Sequence, residues 1–322
     1  MIDYQNSKPF LAEKKRIVDQ LTQVGVSAEQ AEVVADCFAT ADLFGVTSHG
    51  EAVLPAYIKR IESGAFNLSP SFRVIKETVS FAVLDGDNAI GPVSALYCLQ
   101  HAMNKAKTSG IFSLLSPHNN TFGPAFYYSL KAAENGMIAL VASNSPAQMA
   151  PIGGKEKLLG TNPFSIVIPV PNGDPVMIDM ATSVVAKSKF REYKEQGKPL
   201  PQGWALDSDG NPTTDPEEGM KGFVLPMAGF KGYGISLMID FLSGFLSDSS
   251  YLNHVGRFYS EKEEGMNVGF LIHVIDPYIV FGDDYDKKIA VYIDEIRNSQ
   301  PANGNTVALP GDDRWLYLKK QL

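Results

Sequence analysis

The sequence predicts an α/β protein, and three observations carry that expectation. Stretches with helical spacing of apolar residues alternate with short apolar runs bounded by Gly, Asn and Asp. The chain has 322 residues, 44% of them apolar, enough for two lobes or one large α/β unit. Glycines and small polar residues gather beside the apolar runs, where α/β folds place ligand loops.

Each element follows in order. From about Pro9 to Gly64 the pattern is helical. Leu11, Ile17, Val18, Leu21 and Val24 form one stripe that Gly25 ends. Ser27 and Gln30 form a capping box that opens a second helix with Ala31, Val34, Cys37, Phe38 and Ala41 inward. A third helix starts either behind Ser48 or at Leu54–Pro55, since proline suits a first turn. After Pro70 the texture changes. "FAVLDGDNAIG" reads as a strand and turn, and "GPVSALYCLQHAMNKAKTSG" as a helix closed by Gly110. "IFSLLS" is a strand, "GPAFYYSLKAAENG" a helix and "MIALVAS" a strand. "FSIVIPVPNGDPVMIDM" holds two strands and a turn. "GKPLPQGWALDSDGNPTTDPEEG" reads as an ordered covering loop because of Trp204. "GYGISLMIDFLSGFL" is an apolar helix, "GFLIHVIDPYIVF" a strand and "DYDKKIAVYIDEIRNS" an amphipathic helix.

Composition excludes several functions. The net charge of −8 argues against nucleic acid as a partner. Cys37 and Cys98 form no CxxC pair, and no histidine stands at metal-ligand spacing, so neither a disulfide framework nor a metal is expected. Cys37 reads as a buried, inert thiol. No secretory leader and no run of roughly 18 apolar residues appears. A soluble, cytoplasmic protein is the expectation.

Chemistry has three places to sit. In "TSHGEAVLP", Ser48 and His49 lie at a helix N-terminus. The helix dipole there favours the neutral imidazole, and free N–H groups can hold a carboxylate. An ordinary polar cap is the alternative. In "SNSPAQMAPIGGKEKLLGTNPF", Ser145, Gly153, Gly154 and Thr161 could let a backbone approach phosphate, although neither GxGxxG nor GxxxxGK[ST] is present. In "VMIDMATS", Asp179 ends a strand, with Thr182 and Ser183 opening the next helix. In "MAGFKGYG", Lys231 precedes another helix. A capping aspartate and a solvated lysine are the alternatives. From residues alone, a nucleotide-dependent enzyme and a non-enzymatic ligand-binding protein both fit.

Together, "GVTSHG", "LPAYIKRIESG", "GGKEKLLGTNPF", "IDMATS", "LPQGWALDSDGNPTTDP", "PMAGFKGYGISLMID" and "LPGDD" resemble the malate/L-lactate dehydrogenase family. It includes ureidoglycolate dehydrogenase, 2,3-diketogulonate reductase, sulfolactate dehydrogenase and Δ1-piperideine-2-carboxylate reductase. The likeness runs from about Ala12 to Gly311. It implies a non-Rossmann NAD(P)-binding central domain with a mixed sheet, over 73–231, beside an N-terminal helical substrate-side domain, over 1–72. Residues 232–322 would pack back on the N-terminal part. The implied activity is hydride transfer between NADH or NADPH and a small 2-oxo, 2-hydroxy or cyclic 2-imino acid, in a homodimer.

By this resemblance, His49 is the proton donor, Ser48 its substrate-binding neighbour, and Asp179 serves the active site. Ser145, Asp179, Met180, Ala181, Thr182, Ser183, Phe230, Lys231, Pro310, Gly311 and Asp312 would contact the cofactor. Two departures mark the substrate end. Val53 stands where the family commonly has a carboxylate-gripping arginine, and valine cannot make that contact. Thr121 stands where the family commonly has a histidine, and threonine is no acid near neutral pH. His118 is the nearby substitute. These changes point to an altered substrate, such as an imine or ketone intermediate without a tightly held carboxylate. A catalytically inactive cofactor-binding homologue is the rival reading.

Overall fold

The computed structural model describes residues 2–259 and 264–322. Three helices come first: α1 (Lys8–Gln23), α2 (Ala28–Leu43) and α3 (Leu54–Glu62). Helix α1 buries Phe10, Ile17 and Leu21. Leu11, expected in that stripe, is 50% exposed. Phe10 lies seven positions before Ile17, two whole turns, whereas Leu11 is rotated about 100° off that line. The Ser27 hydroxyl accepts the Gln30 N–H at 3.3 Å and caps α2, whose buried residues include Ala31, Val34, Cys37, Phe38 and Ala41. Two 3-10 turns, Thr47–His49 and Glu51–Val53, separate α2 from α3. Helix α3 starts at Leu54 with Pro55 in its first turn.

The central layer is a seven-stranded mixed sheet. Its strands are β1 (Arg73–Glu77), β2 (Phe81–Asp85), β3 (Ile111–Asn119), β4 (Ile138–Ser143), β5 (Phe164–Ile168) and β6 (Val176–Met180), plus a late strand over Val268–Ile275. Helix α4 (Gly91–Ser109) joins β2 to its parallel neighbour β3, and Gly110 closes that helix at φ 75°. Helix α5 (Ala125–Glu134) joins β3 to β4.

The expected covering loop is ordered. Helix α6 (Ser188–Glu195), strands β7 (Ala205–Leu206) and β8 (Pro212–Thr213), helix α7 (Pro216–Lys221) and strand β9 (Phe223–Val224) form a small subdomain with a three-stranded sheet. Phe190, Leu200 and Val224 pack there with Met149 and Leu159, and Trp204 lies against them. Thr182 and Ser183 do not open α6, which begins at Ser188. The chain instead bends there, with Ser183 bridging to Pro226.

Helix α8 (Phe230–Ile239) continues into a π-helical segment, Asp240–Phe245. The late strand is β10, and the main sheet runs β1-β2-β3-β10-β4-β5-β6. β10 is therefore the middle strand, antiparallel to both β3 and β4. Helices α9 (Pro277–Phe281), α10 (Tyr285–Arg297) and α11 (Asp312–Gln321) follow. Trp315 of α11 is buried against Phe44, with ring centroids 5.1 Å apart. Its indole N–H donates to the Pro175 carbonyl at 2.8 Å. Among the described residues no helix is long and apolar enough to cross a membrane.

Candidate active site

Strand direction assembles the site. β3, β4 and β6 run the same way, because β10 pairs antiparallel with β3 and β4 while β5 pairs antiparallel with β4 and β6. Their C-terminal ends therefore share one edge of the sheet. Thr121 follows β3, Ser145 follows β4, and Asp179 is the penultimate residue of β6.

The loop bearing His49 is placed by α2. Asp42 accepts the Glu51 backbone N–H on Oδ2 at 2.6 Å. A Cβ on Gly50 would overlap the Asp42 carboxyl, so only glycine fits beneath this loop. The Ser48 hydroxyl and His49 Nδ1 are 2.9 Å apart. His49 is exposed, yet the protein packed around it removes enough water to disfavour the imidazolium. That burial, and secondly the positive charge of Arg314, hold its pKa below the ordinary imidazole value.

Asp179 is committed to Arg314 rather than to His49. The Arg314 Nη2 donates to Asp179 Oδ2 at 2.8 Å, and the Phe126 backbone N–H at the start of α5 also bonds the carboxylate. Burial raises the Asp179 pKa, and Arg314 pulls it back only in part. The guanidinium also lies over the Phe126 ring, 5.1 Å from its centroid. Arg314 is thus the link between Asp179 and His49. Sequence reasoning missed it: nothing in "GDDRW" tells an arginine one turn into a terminal helix that its partner is 135 positions away.

The remaining substrate-side residues take different places. The Thr121 carbonyl accepts the Tyr57 hydroxyl at 3.0 Å, which ties the β3–α5 loop to α3. Val53 is half-buried against the main core. His118 Nδ1 lies 2.9 Å from Asp85, and Arg73 joins the same carboxylate. The structure thus pairs His118 with Asp85 at the end of β2.

The expected cofactor residues fall into two groups. The Ser145 hydroxyl and N–H are bonded to Asn162, whose amide donates to the Ser236 carbonyl of α8. The Thr182 hydroxyl donates to Thr161 and the Ser183 hydroxyl to Val185, and the Thr182 backbone is engaged as well, its N–H by Thr161 and its carbonyl by Met227. The Asp312 carboxylate is held by Arg297 at 3.0 and 2.8 Å and by the Leu309 N–H. Gly311, at φ 92°, lies where a Cβ would crowd Met177, and the Pro310 carbonyl accepts the Met177 N–H beside Asp179.

By contrast, Met180 is 40% and Phe230 75% exposed, Ala181 is half-buried, and Lys231 is exposed. Phe230 and Lys231 open α8, where no side chain caps the first N–H groups. A cavity of about 550 Å³ adjoins that helix start, lined by Gly153, Gly154, Lys155, Val184, Ala228 and Gly229. A helix end without a side-chain cap, an exposed lysine and a glycine-lined cavity fit an anionic dinucleotide. None of Ser48, His49 or Asp179 lines that cavity. Among the described residues no group of three or more His, Cys, Asp or Glu is placed to hold a metal.

Comparison with known proteins identifies the family and the fold. A family model described as malate/L-lactate dehydrogenase matches residues 10–322. The chain is 42% identical over 293 residues to malate dehydrogenase of Pyrococcus horikoshii, which is 88% of this chain and 80% of that protein. A solved sulfolactate dehydrogenase from Methanocaldococcus jannaschii superposes with TM-score 0.90 at 38% identity, covering 97% of this chain and 90% of the other. A solved Δ1-piperideine-2-carboxylate reductase from Pseudomonas syringae superposes with TM-score 0.87 at 25% identity, over 97% and 93%.

Proposed function

The chain belongs to the malate/L-lactate dehydrogenase family, and from that premise we propose that His49 is its proton donor in the reduction of a small 2-oxo or cyclic 2-imino acid. The protein is an NAD(P)-dependent oxidoreductase of 2-hydroxy acids, taking NADH or NADPH. The observation that supports His49 is its setting: an exposed imidazole on a loop fixed by Asp42, beside Ser48 and within the field of Arg314.

When bound, the nicotinamide supplies or accepts the hydride. Phe230 and Lys231 at the start of α8 would hold the cofactor, with Ser145, residues 180–183 and the 310–311 turn beside it. His49 gives its proton to the carbonyl oxygen or imine nitrogen as the adjacent carbon is reduced, and recovers it from solvent. In the oxidising direction the neutral ring accepts that proton, and the lowered pKa keeps it available near neutrality. Ser48 orients the ring by holding Nδ1, which leaves Nε2 for the substrate.

We also propose a homodimer. Leu237, Met238, Phe241, Phe245 and Leu246 are 43–53% exposed along α8 and its π-helical continuation, and Phe241 stacks on Phe245 at 5.2 Å. A second copy would cover this apolar strip. Light scattering on wild type and Phe241→Glu tests it: a dimer that the variant dissolves is expected, and a wild-type monomer refutes it.

The activity is tested by titrating NADH and NADPH, then assaying 2-oxo acids and cyclic imines at the nicotinamide absorbance. At least one cofactor should bind at sub-millimolar concentration, and His49→Ala should abolish most turnover. Absence of binding by both cofactors sinks the cofactor reading, and full turnover by the variant removes His49 as the donor.

A further inference from the structure

We propose that Arg314 recognises the substrate carboxylate, the task for which position 53 offers only a valine. The inference rests on the reading of the chain as acting on 2-oxo or 2-imino acids.

A carboxylate beside a reacting carbonyl needs a cation or a nest of N–H groups. Val53, a half-buried hydrocarbon side chain, supplies neither. Arg314 supplies a guanidinium from a different element. It is placed rigidly relative to His49, because α11 is clamped to the segment that leads into the His49 loop. Trp315 packs on Phe44, and a Cβ on Gly45 would already touch the Tyr317 ring at 3.2 Å. Asp179 and the Phe126 ring fix the guanidinium itself.

The ion pair leaves capacity to spare. A guanidinium has five N–H donors, and Asp179 engages one nitrogen. Nη1 is shut from water without an acceptor, a cost of the kind folds keep at functional groups. The side chain as a whole is 22% exposed, so it lies at the surface of the site and not in the closed core. In a 2-oxo acid the carboxylate is bonded directly to the carbonyl carbon. With His49 on the carbonyl oxygen, the carboxylate must lie close by. Arg314 stands on the helix whose Trp315 and Tyr317 pack on Phe44 and Gly45, just before the His49 loop, so its charge is placed beside that carboxylate.

The test uses unreactive probes and a binding readout. Oxamate, a 2-oxo acid mimic, and neutral ethyl oxamate are titrated onto the NADH-bound protein by cofactor fluorescence. The comparison covers wild type, Arg314→Gln and Arg314→Lys, with unfolding midpoints checked. Wild type should prefer oxamate. Arg314→Gln should weaken oxamate about ten- to hundred-fold, the loss of one charge-assisted contact, and leave ethyl oxamate and NADH within about twofold. Arg314→Lys, which keeps the charge without the fork, should fall between. Equal loss of both probes, loss of NADH binding, or unchanged oxamate affinity overturns the proposal. Failure of the parent reading is visible separately, as wild-type protein that binds neither cofactor.

Discussion

Asp42 holds the Glu51 backbone N–H at 2.6 Å, and this one bond seats the loop that carries Ser48 and His49. The Glu13 carboxyl, from α1, lies within hydrogen-bond reach of Asp42, and its Oε1 finds no other partner. Two carboxyls in contact share a proton. Burial first, then the bond to Asp42 and the charges of Asp42 and Glu51, push Glu13 up to about 8, with Arg16 pulling the other way. Below the ordinary carboxylate value both folded and unfolded chains hold this proton. As pH rises from there to about 8 the unfolded chain releases it first, so the native state loses stability across that window and levels off above it. Glu13→Gln should flatten this fall and exceed wild type in stability at pH 9. Urea midpoints at pH 5, 7 and 9 check it, and parallel curves for the two proteins would refute it.

Burial first, and then the charge of Arg314, set the acid limb of hydroxy-acid oxidation, which needs the neutral His49 ring. In wild type that limb should lie below the ordinary imidazole value of 6.5. Arg314→Gln removes a positive charge, so the limb should move to higher pH while burial keeps it short of 6.5. His49→Ala should cut turnover about 10²- to 10⁴-fold. Profiles of kcat/KM from pH 4.5 to 9 decide; a limb that does not move with Arg314 would separate the two residues.

Asp179 and Arg314 are largely buried, at 13% and 22% exposure. Asp179→Asn leaves the guanidinium without its anion, a loss of about 3 kcal/mol or more. Adding Arg314→Gln should cost less than the second single change predicts, because the orphaned charge is then gone. Urea unfolding of the four proteins gives the coupling, and strictly additive losses would contradict a direct pair.

Val53→Arg returns a cation to the position where relatives commonly carry one. In the Arg314→Gln background it should recover oxamate binding and raise kcat/KM toward simple 2-oxo acids. No recovery in a folded double variant would mean that position 53 does not face the substrate.

Cys37 and Cys98 are fully buried, and burial pushes the Cys98 thiol up to about 12 and Cys37 higher still. Neither thiolate forms at pH 8. Ellman's reagent should find no thiol in the native protein and two in denaturant; fast native labelling would place one near the surface.

The legible part of the molecule was local. Ser27 announced a helix start because its cap partner is three residues on, and Gly110 a helix end because the left-handed turn needs glycine. Asp179 was legible as an acid at a strand end. Its partner was not, since Arg314 meets it through folding of the whole chain. Glu13 and Asp42 likewise sit on separate helices, and each alone reads as a solvated helix carboxylate. Thr182 and Ser183 misled because small hydroxyls cap helices and also bond loop carbonyls, as they do here to Thr161 and Val185. Leu11 misled by one position, since Phe10 is the residue in phase with Ile17.

The order of the sheet also has a consequence for synthesis. β3 and β4 never pair with each other; both pair with β10, which comes out of the ribosome after residue 267. Until then the strands that precede it can form only two half-sheets, β1-β2-β3 and β4-β5-β6, each with one edge that β10 alone will cover. A ribosome paused before Val268 would hold two open strand edges, a template for chaperones or for neighbouring chains. The last strand to complete the sheet is the one that joins the halves, so birth of the active edge and closure of the fold are a single late event.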